Sequence, residues 1–211
     1  MSDEKLDTQI RQEQIVEAAL GLVANYGVRR LSVAAVARRV GLVPSGIYRH
    51  FRSKDQIISA VLDLIEKRLL ANVQAAREET PDPLERLRSV LIKHIRFIRE
   101  GRAIPQIIFS EDVHSGHPER KTRVQRILSA YLAGLREFVE DGQRQGLIRP
   151  ELDSETVALG IIGIVVPAGI LWHLTDGGFD VTRHAGRAWP MFRAAIATET
   201  PVPSPSGRGL G

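Results

Sequence analysis

The feature that most constrains the fold is a pair of short helical segments within residues 31–54, LSVAAVARRVGLVPSGIYRHFRSK. The small Ala37 falls where two helices would cross closely, and Gly41 falls in the turn between them, where a positive backbone φ is expected. Ile47 then lies on the side of the second helix that faces the first. A larger residue at 37 would separate the helices, and a Cβ at 41 would strain the turn. This spacing of alanine, glycine and aliphatic residue predicts a helix-turn-helix.

Helical periodicity continues along the rest of the chain, and no segment shows the alternation that is typical of a strand. The sequence therefore predicts an all-α fold with about nine helices, which we place at residues 10–26, 33–40, 44–51, 54–79, 83–100, 103–113, 118–145, 154–174 and 181–198. We expect residues 1–53 to form a three-helix helix-turn-helix DNA-binding domain. Residues 54–198 are expected to form a helical effector-binding and dimerisation domain, and residues 199–211, rich in Pro, Gly and Ser, a flexible tail.

Capping signals mark several of these helix ends. Ser32 and Asp82 each precede a helical pattern and suit the N-cap position. Ser53 and Gln56 have the spacing of a capping box, in which each side chain accepts a hydrogen bond from the backbone amide of the other. Gly27 follows the first helix, where a C-cap glycine is typical. The fourth helix is therefore expected to begin immediately after the helix-turn-helix.

Positive charge is concentrated in the same part of the chain. Residues 8–54 carry eight Lys or Arg and two acidic residues, whereas the net charge of the whole chain is +4. A basic N-terminal quarter on a slightly acidic body is expected when one end of a protein meets a polyanion. Taken alone, this asymmetry is more typical of a solvated basic face.

The outward side of the third helix has the residue types that contact DNA. The helix is short enough to enter a major groove, which is about 12 Å wide. Tyr48 and His50 can hydrogen-bond phosphates, while Ser32 and Lys54 lie at helix N-termini, where free amides and the helix dipole favour a phosphate. Base edges would be read by the start and outer face of the third helix, at Pro44, Ser45, Gly46 and Arg49. The alternative is an ordinary helical hairpin with polar surface side chains.

The segment GLVPSGIYRHFRSKDQIISAVL resembles the signature of TetR-family transcriptional regulators. In that signature a Gly-containing turn precedes a recognition helix that ends in Tyr-x-His-Phe and is followed by Ser-Lys-acid. The upstream segments IVEAALGLVANYG and VRRLSVAAVARRVG match as well, so the resemblance covers residues 10–70. It implies that Tyr48, His50 and Lys54 contact phosphates. It also implies that four further residues lie near bases: Val33, Ala34, Ser45 and Gly46.

One departure from the family pattern concerns base reading. Many members have Ser or Thr at the N-cap of the third helix and Thr where Gly46 stands, whereas this chain has Val43 and Gly46. Both changes remove side-chain donors. We therefore expect base reading to depend on Ser45, Arg49 and backbone amides. Beyond residue 70 the resemblance extends only to architecture, with the later helices serving ligand binding and dimerisation.

The eighth helix is the predicted dimer contact. Residues 156–174 contain no Asp, Glu, Lys or Arg, so this helix must be buried in a core or an interface. Packing helices eight and nine against the same pair of a second chain would form a four-helix bundle, which predicts a homodimer on a palindromic operator in double-stranded DNA. A membrane span is the alternative for a run of this length. Its glycines and Pro167 interrupt such a span, so we expect no membrane association.

An effector site is expected among the helices of the C-terminal body. His94 falls on the apolar side of the fifth helix, and aromatic residues recur on neighbouring helices. A cavity lined in this way would favour a small apolar or aromatic effector. The candidate lining residues are His94, Phe97, Phe109, Tyr131, Trp172 and His173. Each of them also fits an ordinary core position, where a histidine would hydrogen-bond a neighbouring helix.

A metal-assisted enzyme is the competing function. Its candidate ligands are His94, Glu111, Asp112, His114 and His117. They match no metal motif of fixed spacing, and the chain has no nucleophile elbow, HExxH, phosphate loop or dinucleotide fingerprint. We therefore predict no catalytic site, no bound metal and no cofactor.

The sequence as a whole favours a DNA-binding repressor that a small molecule releases from its operator. The fourth helix would link the effector site to the DNA, because it begins at Lys54 and ends in the C-terminal body. The chain has no cysteine and no apolar leader at its N-terminus, which predicts a cytoplasmic protein.

Overall fold

The structure is a computed structural model that describes residues 3–100, 108, 110–115 and 117–198. Its described part is all-α, as predicted, apart from a single bridge between Ile148 and Ala197. The helices are α1 (Asp3–Tyr26), α2 (Val33–Arg39), α3 (Pro44–Tyr48), α4 (Lys54–Glu79), α5 (Pro83–Arg99), α6 (Glu111–His114), α7 (Pro118–Arg144), α8 (Ser154–Leu174) and α9 (Val181–Ile196). Most of the predicted helix at 103–113 and the predicted tail at 199–211 lie outside the described residues.

The helix boundaries differ from the predictions most clearly at the start of α1 and the end of α3. Helix α1 begins at Asp3 instead of residue 10. The prediction relied on apolar periodicity, which starts only at Ile10. The acidic residues before it favour a helix N-terminus without adding to that periodicity. Helix α3 ends at Tyr48, and the amides of residues 50 and 51 both bond to the Ile47 carbonyl, which tightens its last turn. A short 3₁₀ turn, Val28–Arg30, was not predicted.

The predicted caps are present, with one change of partner. Ser32 Oγ accepts a hydrogen bond from the Ala35 amide at 3.1 Å, and Asp82 accepts from two amides of α5. Ser53 Oγ accepts from the Gln56 amide at 3.2 Å. The Gln56 side chain, however, accepts from the Arg52 amide at 2.7 Å rather than from that of Ser53. The two hydrogen bonds of the capping box therefore connect the first turn of α4 to Arg52. Because Arg52 directly follows Phe51, these bonds also hold the end of the segment that contains α3.

Helix α4 joins the two parts of the fold. On one side it packs against α1, which also contacts α2, and α2 packs against α3. On the other side α4 packs against α5 and α7, and α5 contacts α7, α8 and α9. One continuous apolar core extends from Ile15 in α1 to Ile196 in α9. A shift of α4 would therefore displace residues in both parts of the fold.

Helix α8 is unusual for its composition. Among the described helices, it is the one that is long and apolar enough to cross a membrane, and 33% of its most apolar window is buried. It packs against α5, α7 and α9. Gly160 allows close contact with α9, because a Cβ at this position would lie 2.6 Å from the Phe192 ring.

Candidate DNA-binding interface and effector site

The α2–α3 unit has the steric features that its sequence predicted. Ala37 and Ile47 are both fully buried. Gly41 has a φ of +71°, which glycine adopts without a Cβ penalty. The amide of Leu42 bonds to the Ala37 carbonyl at 2.9 Å and closes the turn. The prediction of a helix-turn-helix is confirmed at each of these positions.

The outward side of this unit carries most of the predicted DNA contacts. Within α3, Ile47 is the buried residue and its neighbour Tyr48 is 54% exposed. The other exposed candidates are Ser32, Ala34, Pro44, Ser45 and Arg49, and the half-buried ones are Val33, Gly46, His50 and Lys54. We call these ten residues the DNA-facing surface. They come from the starts of α2 and α4 and from α3 with the two residues that follow it.

Hydrogen bonds within the protein determine which donor groups of these side chains remain free to bind DNA. The Ser32 oxygen accepts the cap bond, so its O–H remains available as a donor. The Nδ1 atom of His50 is buried without a partner in the described structure, which leaves Nε2 as the nitrogen that could donate to a phosphate. Lys54 is the first residue of α4, next to free backbone amides.

Further arginines lie next to this surface. Arg38 and Arg39 are in the last turn of α2, and Arg52 lies between α3 and α4. These three and Arg49 are exposed, and no acidic partner is found for them among the described residues. The feature of the sequence that indicated them is the excess of Lys and Arg in residues 8–54. Unpaired guanidinium groups beside a recognition helix favour a polyanionic partner.

Part of the predicted effector site forms a compact group in the C-terminal body. Nδ1 of His94 lies 3.0 Å from the Tyr131 hydroxyl, and their rings meet edge to face with centroids 5.7 Å apart. Phe97 packs edge to face on His94 at 6.5 Å. His94 and Tyr131 are buried, and Nε2 of His94 has no partner in the described structure. The group therefore holds one unused polar atom in apolar surroundings.

Two further effector candidates, Trp172 and His173, lie elsewhere. Trp172 is half-buried and its ring lies beside Gly177, in the turn after α8. His173 is exposed and borders a surface groove of about 770 Å³ between the end of α1 and α8. Neither has a ring contact or hydrogen bond to His94 within the described residues. Phe109 is outside the described part of the chain.

The predicted metal-ligand residues are only partly described. Nδ1 of His117 lies 3.0 Å from the Glu119 carboxylate, and Glu111 begins α6. The side chains of Asp112 and His114 lie outside the described structure. In the part that is described, no group of three His, Cys, Asp or Glu is placed to hold a metal ion.

Burial of His94 predicts a pH dependence of stability. Desolvation lowers the pKa of His94 from 6.5 to about 4, because the charged imidazolium is disfavoured away from water. Between these values the unfolded chain takes up a proton that the folded chain does not. The free energy of unfolding should therefore fall as pH drops from about 6.5 to about 4, by up to about 3 kcal/mol.

The variant His94→Gln should remove this loss, because Gln keeps polar atoms but does not titrate. Urea unfolding at a series of pH values between 7 and about 4 measures it. The exposed His173→Gln serves as the control and should keep the wild-type pH dependence. An acid-side slope that persisted unchanged in His94→Gln would contradict the assignment.

A helix-turn-helix with an exposed basic surface, carried on a larger helical body, defines a DNA-binding transcriptional regulator. Two family profiles match the chain. Residues 15–61 match the bacterial regulatory proteins of the tetR family, and residues 80–196 match the tetracyclin repressor-like C-terminal domain. The chain therefore belongs to the TetR family of bacterial transcriptional regulators.

Individual relatives agree with this assignment over most of the chain. The nucleoid occlusion factor SlmA of Vibrio cholerae is 24% identical over 188 residues, which cover 88% of this chain and 95% of SlmA. A TetR transcriptional regulator from Chloroflexus aurantiacus has a TM-score of 0.77 at 20% identity, covering 92% and 99% of the two chains. FadR of Bacillus subtilis, solved with stearoyl-CoA, has a TM-score of 0.71 at 21% identity, covering 87% and 98%. The structural matches show a shared fold.

Proposed function

We propose that this TetR-family regulator is a homodimeric repressor that a small apolar molecule releases from a palindromic operator. The observation that carries the proposal is the division of the α3 segment. Ile47 is fully buried, while Tyr48 and the following Arg49 are exposed, beside arginines that have no acidic partner among the described residues. Residues 1–53 would read the DNA, and residues 54–198 would hold the effector and the partner chain. A regulator of this kind works on chromosomal DNA, so we place it in the cytoplasm and assign it no catalytic step.

Each part of the DNA-facing surface has a proposed role. Tyr48, His50 and Lys54 hold phosphates, as does the Ser32 hydroxyl. Arg49 is the side chain best suited to read a guanine bidentately, and Ser45 can hydrogen-bond several bases. Four further residues approach base edges through backbone or apolar contacts: Val33, Ala34, Pro44 and Gly46.

The DNA assignment is tested by the salt dependence of binding. The change Lys54→Gln should weaken binding to every duplex and reduce the slope of log K against log salt by about 1, because one phosphate contact is lost. Arg49→Gln should instead weaken binding to the preferred duplex more than to random DNA. Fluorescence anisotropy would measure both, with a duplex that the wild-type protein selects from a random library.

Lys67→Gln is the matched control for Lys54→Gln. Lys67 is an exposed lysine of the same helix, about 20 Å further along α4 at 1.5 Å per residue. Its removal changes the net charge equally and should leave the salt slope unchanged. An identical effect of the two substitutions, or none from Lys54→Gln, would argue against the proposed phosphate contact.

The proposed effector site is centred on His94, Phe97 and Tyr131, between α5 and α7. Because burial holds the pKa of His94 at about 4, its ring is neutral at physiological pH and suits an uncharged ligand atom. Its unpartnered Nε2 offers one polar anchor among apolar side chains. The stearoyl-CoA bound to FadR shows that a protein of this fold accepts a ligand with a long apolar chain. Trp172, His173 and Phe109 remain candidates for the outer parts of the site.

The homodimer is proposed to form through α8 and α9. A line of exposed residues follows one side of α8 at helical spacing, at Leu159, Gly163, Pro167, Ile170, Leu171 and Leu174. Met191 extends it onto α9 and is 71% exposed. We call these seven residues the apolar stripe. Water contact with such a stripe is unfavourable, and pairing it with its own copy would form a four-helix bundle and remove it from solvent.

A further inference from the structure

An ion pair between a buried arginine and an exposed aspartate connects the C-terminal body to the first turn of α4. Nη2 of Arg120 lies 2.6 Å from Oδ1 of Asp55. The Arg120 side chain is 5% exposed, whereas Asp55 is 62% exposed. Asp55 directly follows Lys54, the proposed phosphate contact, and Arg120 is in the first turn of α7. The pair therefore joins α7 to the residues that meet the DNA.

Further contacts hold α4 and α7 side by side. Arg123 pairs with Asp63 and lies 3.7 Å from Glu66. Further towards their C-termini, α4 and α7 come so close that a Cβ at Gly134 would lie 2.7 Å from the Val73 side chain. Residue numbers rise together along both helices in these contacts, so α4 and α7 run in the same direction.

Helix α7 also carries a residue of the proposed effector site. Tyr131, which bonds to His94, lies eleven residues after Arg120, or about 16 Å along the helix axis at 1.5 Å per residue. Both residues are buried and both belong to one uninterrupted helix. A small displacement of α7 at Tyr131 would therefore also move Arg120.

We propose that Arg120 is a positioning residue for DNA recognition, which acts through Asp55 on the first turn of α4. A buried guanidinium that lost its carboxylate would be left unpaired in low dielectric, so Asp55 must follow when Arg120 moves. The capping box of Ser53 and Gln56 keeps the first turn of α4 and Arg52 together, so the movement reaches the DNA-facing surface. This inference rests on the proposed function and adds α7 as a second link beside α4.

The test is Arg120→Met in the full chain, which removes the charge but keeps the packing of the side chain. Affinity for the selected duplex should fall about tenfold while affinity for random duplex stays unchanged, so the ratio of the two falls. The salt slope should stay at its wild-type value, because Arg120 is buried and contacts no phosphate. The carboxylate left behind belongs to Asp55, which is 62% exposed and stays solvated. A purely structural role of Arg120 would change the free energy of unfolding and leave the ratio of the two affinities unchanged.

Arg77→Met is the matched control. Arg77 pairs with Glu137 between the same two helices, about 33 Å further along α4 at 1.5 Å per residue. This pair is exposed, and its loss should leave the affinity ratio within twofold of wild type. An unchanged ratio in Arg120→Met, or an equal fall in Arg77→Met, would overturn the inference. If Arg120→Met does not fold, Asp55→Asn removes the charge from the exposed side of the pair, and an unchanged ratio in that variant would overturn the inference too.

A coupling measurement separates the pair from either residue alone. Asp55→Asn and Arg120→Met should each lower the affinity ratio, and the double variant should lower it no further than Arg120→Met, since both remove the same interaction. Additive losses would overturn the inference. Failure of the proposed function would be seen differently, because the wild-type protein itself would then select no duplex from the library.

Discussion

The change Ile47→Ala should cost about 2–5 kcal/mol of folding free energy and abolish selective DNA binding. Ile47 is fully buried and is the buried residue of α3, which has five residues. A helix of this length has no stability of its own in water, so its position depends on what it packs against. Without the aliphatic side chain, α3 would lose its attachment to α2 and would no longer present Tyr48 and Arg49 together.

The neighbouring change Tyr48→Ala is the control that separates folding from contact. Tyr48 is 54% exposed, so its removal should change the free energy of unfolding by no more than about 0.5 kcal/mol. It should still weaken binding to all duplexes. Urea unfolding and anisotropy on the same two proteins would give both quantities. Equal loss of stability in the two variants, or none in Ile47→Ala, would contradict the packing described for α3.

The DNA-binding unit could be predicted because its determinants are local. Ala37, Gly41 and Ile47 lie within eleven residues, and each acts through sterics or backbone conformation that its residue type fixes. The caps at Ser32, Ser53 and Asp82 are equally local. By contrast, the true start of α1 was missed because its first residues are polar and leave no apolar stripe to follow.

The connection between Arg120 and Asp55 could not be predicted in this way. The two residues are 65 positions apart, and Arg120 stands in the strongly charged segment PERKTRVQR, which is typical of a solvated helix. Its burial results from the packing of α7 beside α4. Two of the effector candidates, Trp172 and His173, lie away from His94 for a similar reason. They were chosen by residue type, whereas the helix face decides that Tyr131 is buried and His173 is exposed.

These contacts refine the link between effector and DNA. The sequence suggested α4 alone, because it runs from Lys54 into the C-terminal body. In the structure α4 is held on one side by Glu17 of α1, through Arg68, and on the other by Arg120 and Arg123 of α7. A ligand beside Tyr131 would therefore act on α4 through α7. Only a ligand that binds the two conformers with different affinity can shift their populations.

A second large effect on DNA binding is expected from Gly163→Arg, within the apolar stripe. A Cβ at position 163 would have no atom within 4 Å, so a single chain can accommodate the new side chain. Replacing a helix-interior glycine should even favour the helix by up to about 1 kcal/mol. In the proposed dimer the same arginine would place an unpaired charge at the contact between two α8 helices, which is strongly unfavourable.

We therefore expect Gly163→Arg to be folded and to be monomeric by sedimentation equilibrium. Its affinity for the selected duplex should be at least about 100-fold lower, because the two half-sites are no longer bound by linked domains. Gly21→Arg is the control for association. It introduces the same residue within α1, where a Cβ likewise has no atom within 4 Å, and it should remain dimeric. A dimeric Gly163→Arg would mean that the chains meet through another face, and the exposure of Leu174 and Met191 would then require a different partner.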